Sequence, residues 1–132
     1  MTNPKDIKAV VFDGLGVFFS ETVLMDKENG EVLRTRSHVD GQGISFLRGE
    51  GIKIALITSE KSGFFEPIVD KLNNLPSVKE GKWEKITLFM GEAGKDKVAT
   101  ISDWLAVQNL TLADCAYMGD DVGDFKIMKE VG

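Results

Sequence analysis

Cysteine and histidine are almost missing from this 132-residue sequence, and no apolar run is long enough to cross a membrane. With Cys115 as the single cysteine, no disulfide can form within the chain, and a reducing compartment such as the cytoplasm is expected. Cys115 lies inside an apolar run and is expected to be a small core residue. The single histidine, His38, lies in a polar stretch and is expected at the surface rather than as a catalytic base.

Clusters of Lys and Arg are also missing, and the net charge is −5. A nucleic-acid surface needs a basic patch, and an anionic membrane repels an acidic protein. Neither partner is therefore expected. The hydrophobic content of 42% and the charged content of 28% are ordinary for a globular protein, so residues 1–132 are expected to form one domain.

Short apolar runs alternate with segments of helical spacing along the chain. The runs predict buried strands at residues 8–12, 52–57, 86–89 and 115–118. Helices are expected at 43–48, 63–72, 95–107 and 122–129, with a loop at 73–85. Alternation of this kind predicts a three-layer, Rossmann-like α/β fold with a parallel sheet. The chain ends directly after a helix where such a fold normally continues, so a C-terminally truncated domain is expected.

A polar β-hairpin is expected at residues 21–36, inserted after the first strand. Asn29-Gly30 is a pair that favours a two-residue turn, with apolar flanks at 23–25 and 32–34. The hairpin and one helix use most of the residues between the first two strands, so no cap domain is predicted.

Carboxylates follow two of the predicted strands. Asp13 comes directly after the first, and Asp120 and Asp121 follow the last, with Asp124 three residues further on. The carboxyl ends of parallel strands meet at one edge of the sheet, where ligand sites form. Carboxylates brought together there repel one another unless a cation lies between them, and oxygen ligands suit magnesium. The alternative is that these residues cap turns or helices.

Two further segments provide candidate phosphate ligands. Thr58 and Ser59 end the second strand, where hydroxyl and backbone N–H groups can hold a phosphate oxygen, or cap the next helix instead. Lys97, near Lys95, lies at the start of a predicted helix. A cation is electrostatically unfavourable there, so either solvent or a nearby anion must compensate it.

These motifs, in this order, resemble the haloacid dehalogenase superfamily of aspartyl-phosphate enzymes. The resemblance extends over essentially the whole chain and is strongest to the capless branch of ketodeoxyoctonate phosphate phosphatases. That branch also occurs as the C-terminal domain of animal sialic acid cytidylyltransferases. The resemblance implies a small-molecule partner, a phosphorylated keto sugar acid, and a homotetramer formed through the 21–36 hairpin.

The resemblance also assigns roles to individual residues. It implies that Asp13 is the nucleophile that accepts the phosphoryl group and that Thr58 binds phosphate. Lys97 would steady both the nucleophile and the phosphate. Asp120 and Asp124 would hold Mg²⁺ together with Asp13.

The sequence departs from the family pattern at three positions. Leu15 occupies the position of the second aspartate, which is the general acid and base. Val39 replaces an arginine, and Glu60 stands where an arginine is usual. Proton transfer by a positioned acid or base contributes about 10²–10⁴-fold to a rate, so Leu15 predicts an impaired phosphatase.

Two other functions are consistent with parts of the sequence. One is a non-catalytic oligomerisation domain of a sialic acid (acylneuraminate) cytidylyltransferase, which the three departures favour. The other is a receiver-type signalling domain. In a receiver the paired acids should end the first strand, whereas here they follow the last, so the order of motifs opposes it.

Overall fold

The computed structural model describes residues 3–61 and 63–132, and its described strands form one four-stranded sheet and one separate hairpin. The strands are β1 (Ala9–Asp13), β2 (Val23–Asp26), β3 (Gly30–Arg34), β4 (Lys53–Ile57), β5 (Thr87–Phe89) and β6 (Cys115–Met118). The larger sheet has the order β5-β4-β1-β6, and all its neighbouring strands are parallel. The predicted parallel α/β fold is therefore confirmed, and the insertion after β1 is the hairpin.

Helices cover both faces of this sheet. They are α1 (His38–Gly49), α2 (Phe65–Asn73), α3 (Pro76–Lys79), α4 (Lys97–Ala106) and α5 (Phe125–Glu130). One core cluster joins α1 and α2 to the sheet, and a second joins α4 and α5 to the opposite face. None of the helices in the described residues is long and apolar enough to cross a bilayer.

The strand register brings three chain segments level at one edge. Asp13 at the end of β1 is paired with Ile57, the last residue of β4. On the other side, Phe12 is paired with Met118, the last residue of β6. The residues that follow β4 and β6 therefore leave the sheet beside Asp13, as parallel pairing predicts.

The predicted strands are confirmed to within one residue at each end, but several helix boundaries are wrong. Helix α1 begins at His38 rather than residue 43, because the Ser37 side chain accepts a hydrogen bond from the Asp40 backbone N–H and caps it. Likewise, Asp96 caps α4 by accepting from the Ala99 N–H, so this helix starts at Lys97 rather than 95.

Three other boundaries also differ from the prediction. The predicted loop at 73–85 contains α3, with Pro76 at its first turn, where the missing N–H costs little. Helix α2 begins at Phe65 rather than 63. The expected helix from 122 to 129 starts as a 3₁₀ turn, Val122–Asp124, and continues as α5.

The hairpin exists where predicted, but its turn differs. Asp26 is paired with Gly30, so residues 27–29 form a three-residue loop rather than a two-residue turn at Asn29-Gly30. The Asp26 carboxylate accepts from the backbone N–H groups of Glu28 and Asn29 and from the Asn29 side chain, which fixes this longer loop. Leu24, Met25 and Leu33 of the hairpin are exposed.

Candidate functional site

A cavity of about 560 Å³ opens at the carboxyl edge of the sheet. The sequence-predicted site residues that line it are Asp13, Thr58, Ser59, Lys97 and Asp120. Asp124 is fully buried directly behind this wall, in contact with Lys97. All six residues predicted for the site are thus brought together by the fold.

Lys97 joins the two strand ends. Its Nζ lies 2.5 Å from an Asp13 carboxylate oxygen and 2.5 Å from one of Asp124. The unfavourable position of a cation as the first residue of α4 is therefore compensated by two buried anions. Burial works to lower the pKa of Lys97, but the hydrogen bonds to Asp124 and Asp13 outweigh it and raise the pKa, so the ammonium stays charged.

The Asp124 carboxylate accepts four hydrogen bonds. Lys97 and the Tyr117 hydroxyl donate to Oδ1, while the backbone N–H groups of Asp120 and Asp121 donate to Oδ2. Burial acts to raise the pKa of Asp124, but the bonds from Lys97 and Tyr117 prevail and hold the pKa below its ordinary value. Since its acceptor sites are used, Asp124 positions Lys97 and the turn after β6.

Asp13 is less well compensated than Asp124. Its side chain is largely buried, and burial raises its pKa even though the hydrogen bond and charge of Lys97 oppose the rise. The neighbouring charge of Asp124 also raises the pKa of Asp13. A second cation close to Asp13 would favour its charged form.

Asp120 completes an acidic group that can hold a metal ion. One carboxylate oxygen from each of Asp13, Asp120 and Asp124 lies within 4.8 Å of the other two. Asp120 is exposed to the cavity and lies against Gly16, where a Cβ would stand 1.7 Å from Asp120 Oδ2. Three carboxylates thus face one ammonium group, and this excess of negative charge and oxygen donors fits a divalent cation.

Thr58 lies beside Asp13 and is almost completely buried. Its Oγ1 accepts from the Glu60 backbone N–H, which leaves the hydroxyl proton able to point to a ligand. The alternative that Thr58 caps the next helix is wrong, because α2 begins at Phe65 without a side-chain cap. For Asp121 the capping alternative is correct, since its carboxylate accepts from the Val122 N–H.

Sequence reasoning missed Tyr117, Glu21 and Arg34. Tyr117 lies in an apolar run, and nothing in that run indicated that its hydroxyl would reach Asp124. Glu21 and Arg34 come from the base of the hairpin and line the cavity, with Arg34 paired to Glu31 at 2.6 Å. The polar character of the hairpin was visible in the sequence, but its position over the sheet edge depends on tertiary structure.

The three departures from the family pattern occupy different environments. Leu15 is half-buried, lines the cavity and packs against the core cluster that contains Phe18 and Phe19. It can neither donate nor accept a proton. Glu60 is exposed at the cavity mouth, whereas Val39 is 73% exposed at the start of α1.

Comparison with known sequences identifies phosphatases as relatives. The chain is 30% identical over 132 residues to the 3-deoxy-D-manno-octulosonate 8-phosphate phosphatase of Salmonella typhi, matching the whole chain and 63% of that enzyme. It is 28% identical over 128 residues to the enzyme of the same name from Escherichia coli K12, covering 97% of the chain and 61% of the enzyme. No protein-family model matches the chain. The chain thus spans less than two thirds of these relatives' length.

Solved structures agree with the sequence matches. A probable YrbI family phosphatase from Pseudomonas syringae pv. phaseolica 1448A superimposes with a TM-score of 0.79 at 29% identity, over 96% of this chain and 64% of that one. The 3-deoxy-D-manno-octulosonate 8-phosphate phosphatase of Moraxella catarrhalis gives 0.73 at 27% identity, over 97% and 66%. That structure contains a magnesium ion, a phosphate ion and KDO. In sequence and in fold the chain is a homologue of these phosphatases, and its resemblance to the capless branch of the haloacid dehalogenase superfamily is confirmed.

Proposed function

We propose that this chain is a magnesium-dependent phosphomonoesterase domain that acts on a phosphorylated keto sugar acid through an aspartyl phosphate on Asp13. The observation that carries the proposal is the bridge of Lys97 between Asp13 and Asp124, beside an acidic group of metal-binding size. The names of the relatives support the reaction and the substrate class. Free Cys115 suits a cytoplasmic location.

Asp13 and Asp120 are the proposed magnesium ligands, and Asp124 supports them. Asp124 already accepts four hydrogen bonds, so its oxygens are occupied by protein donors. Asp120, in contrast, is exposed and lines the cavity, where its oxygens can reach a metal ion. When bound, magnesium would offset the negative charge of the carboxylates and of the phosphate.

In the proposed first step, an Asp13 carboxylate oxygen attacks phosphorus, and the bond to the leaving oxygen breaks. Thr58 donates its hydroxyl proton in a hydrogen bond to a phosphate oxygen, and the Lys97 ammonium group faces the same charge. Water then attacks phosphorus, which releases phosphate and restores the Asp13 carboxylate. With a sugar phosphate both steps require proton transfer, first to the leaving oxygen and then from the attacking water.

Leu15 limits this chemistry. A sugar alkoxide leaves poorly without a proton, whereas aryl and acyl phosphates have leaving groups that need none. We therefore propose weak turnover of aryl phosphates, slow hydrolysis of the aspartyl phosphate and little turnover of a sugar phosphate. The missing acid or base accounts for a loss of about 10²–10⁴-fold.

The experiment compares p-nitrophenyl phosphate with 3-deoxy-D-manno-octulosonate 8-phosphate, each in the presence of magnesium or EDTA. We expect slow, magnesium-dependent release of p-nitrophenol and labelling of Asp13 by phosphate, both lost in Asp13→Asn. Rapid hydrolysis of the sugar phosphate would contradict the impairment. Complete inertness without labelling would contradict the phosphatase proposal itself.

A second candidate is a non-catalytic oligomerisation domain of a sialic acid cytidylyltransferase. The apolar Leu15 in the catalytic cavity and the exposed Leu24, Met25 and Leu33 favour it, because a lone two-stranded hairpin is marginal in water and gains by burying such residues. In either case we propose a homotetramer formed through residues 21–36.

Light scattering tests the assembly. The wild-type chain is expected to be a tetramer at micromolar concentration, and Leu33→Asp is expected to dissociate it. Glu28→Gln, in the exposed hairpin loop, serves as the control that keeps the tetramer. A monomeric wild-type chain would rule out the assembly, and a tetramer that survives Leu33→Asp would place the interface elsewhere.

A further inference from the structure

The Arg36 side chain is packed between an aromatic ring and a helix, and its buried Nε has no hydrogen-bonding partner. Its guanidinium carbon lies 5.0 Å from the centre of the Phe18 ring. On another side, a Cβ added to Gly41 would stand 2.8 Å from Arg36 Nη2, so the guanidinium lies close against the first turn of α1. The Nε atom is buried and makes no hydrogen bond.

Arg48, twelve residues further on, shows how this fold satisfies a comparable group. It also lies over an aromatic ring, 5.4 Å from the centre of Trp83. Its guanidinium donates to the Glu84 carbonyl at 3.1 and 2.5 Å and to the Leu72 carbonyl at 3.1 Å. Arg36 makes no comparable hydrogen bond to the described residues. Its enclosed Nε has no partner, and its terminal nitrogens are left for an acceptor from outside the chain.

The surroundings of Arg36 are basic. Arg36, His38 and Lys71 line a cavity of about 420 Å³ between α1 and α2, and no carboxylate is among its lining residues in the described part of the chain. Such an environment stands out in a protein with a net charge of −5. None of its lining residues also lines the catalytic cavity.

The cavity has the chemistry of a small-anion site. A volume of a few hundred Å³ is typical of small-molecule pockets. A guanidinium group binds carboxylate and phosphate oxygens through charge-assisted hydrogen bonds, and Lys71 adds a second positive charge. Phe46 is 75% exposed at the rim and offers an apolar face for the rest of a ligand. We propose that this Arg36 cavity binds a small anionic ligand through its carboxylate or phosphate group, separately from the catalytic cavity.

The test is a titration of the ¹⁵N-labelled chain at constant ionic strength, followed through its backbone amide resonances. The probes are inorganic phosphate and pyruvate, which has a carboxylate but no phosphate. At least one of them is expected to shift the amides of residues 41–46 in a saturable way. A response to phosphate alone or to pyruvate alone would identify which oxyanion the cavity prefers.

The variant Arg36→Met keeps an apolar side chain over Phe18 and removes the charge. It should weaken the response of residues 41–46 at least about tenfold, since one charge-assisted hydrogen bond is worth that much. Lys71→Met, at an exposed position of α2, should weaken it as well and serves if Arg36→Met does not fold. Lys79→Met is the control that leaves the response unchanged.

Amides beside Thr58 separate this proposal from the catalytic one. They report on the catalytic cavity and should respond identically in wild type and Arg36→Met. The absence of any saturable shift at residues 41–46 with both probes would overturn the Arg36 site. A shift that persists unchanged in both charge-removing variants would overturn it too, whatever the catalytic cavity does.

Discussion

The inner wall and the mouth of the cavity at the sheet edge differ in how completely their side chains are fixed. At the wall, short and partly buried hydrogen bonds join Lys97 to Asp13 and Asp124, and Tyr117 to Asp124. At the mouth, Glu21 and Glu60 are exposed. Burial and mutual pairing thus hold the inner geometry, whereas the mouth can change its charges without disturbing the fold. Glu60, a departure from the family pattern, lies at the mouth.

The largest effect is expected from removing the cation that links the inner wall. Lys97→Met leaves two buried carboxylates without their shared partner, which costs about 3–5 kcal/mol of unfolding free energy for a buried pair. Guanidinium denaturation in EDTA measures the loss, and activity toward aryl phosphate should vanish. Lys126→Met, at an exposed position of α5, is the control. A loss below about 1 kcal/mol would mean that the wall is not held by this bridge.

Restoring the acid at position 15 should produce the next largest change. Leu15→Asp should raise hydrolysis of a sugar phosphate by up to about 10²–10⁴-fold, because the leaving oxygen can then receive a proton. Leu15→Asn matches the size of aspartate without its acidity and should not gain activity. Equal rates in the two variants would show that the proton is supplied elsewhere or that substrate binding limits the rate.

Asp124, which is buried at the wall, and Asp120, which is exposed to the cavity, lie in the same turn, so equivalent substitutions at the two positions compare the two environments. Asp124→Asn places an amide donor where backbone N–H groups now donate, and each buried group left unpaired costs about 1–3 kcal/mol. Asp120→Asn should change stability by less than about 0.5 kcal/mol in EDTA. It should, however, abolish the rise in melting temperature that magnesium gives the wild type, since a ligand stabilises only the state it binds. Calorimetry with and without magnesium distinguishes the two, and equal losses in EDTA would refute the contrast.

The pKa shifts predict how the wall responds to acid. The pKa of Asp124 lies below its ordinary 3.8, so this group stabilises the fold above that pH and the stability is lost as the pH falls through the folded-state pKa. The pKa of Asp13 is raised, and its ionisation therefore weakens the fold as the pH rises from 3.8 to its folded-state pKa. In EDTA, Asp124→Asn should lose less stability than wild type between neutral pH and the acid range. A parallel pH dependence of the two unfolding free energies would contradict the assignment to Asp124.

The smallest effect is expected on the exposed face of the hairpin. Leu24 is 52% exposed, so Leu24→Ser should change the unfolding free energy of a subunit by less than about 0.5 kcal/mol. Denaturation at a protein concentration below that of assembly measures it. A loss above about 1 kcal/mol would show that the hairpin supports the subunit fold as well as the proposed interface.

Much of the wall was predictable from the sequence, because apolar runs followed by Asp13, Thr58 and Asp120 place these residues at one sheet edge through the rules of parallel pairing. The unfavourable position of Lys97 at a helix start left solvent or a nearby anion as its compensation, and only the structure shows that two carboxylates provide it. The role of Tyr117 was not predictable, because the spacing and hydropathy of residues along a strand do not show which group a phenol hydroxyl will contact. Similarly, the predicted two-residue turn at Asn29-Gly30 was wrong, because the Asp26 side chain, rather than the backbone preference of the pair, decides the loop.

The Asp124 carboxylate, whose acceptor sites are all used, links local opening of the turn after β6 to the geometry of the site. This carboxylate accepts hydrogen bonds from Lys97 of α4, from Tyr117 of β6 and from the turn that follows β6. Movement of any one of these elements away from Asp124 therefore breaks a hydrogen bond to the same side chain. The amide protons of Asp120 and Asp121 can exchange with solvent only after that carboxylate has left them. Their exchange rates therefore report how often the Asp124 carboxylate separates from this turn, even when no substrate is present.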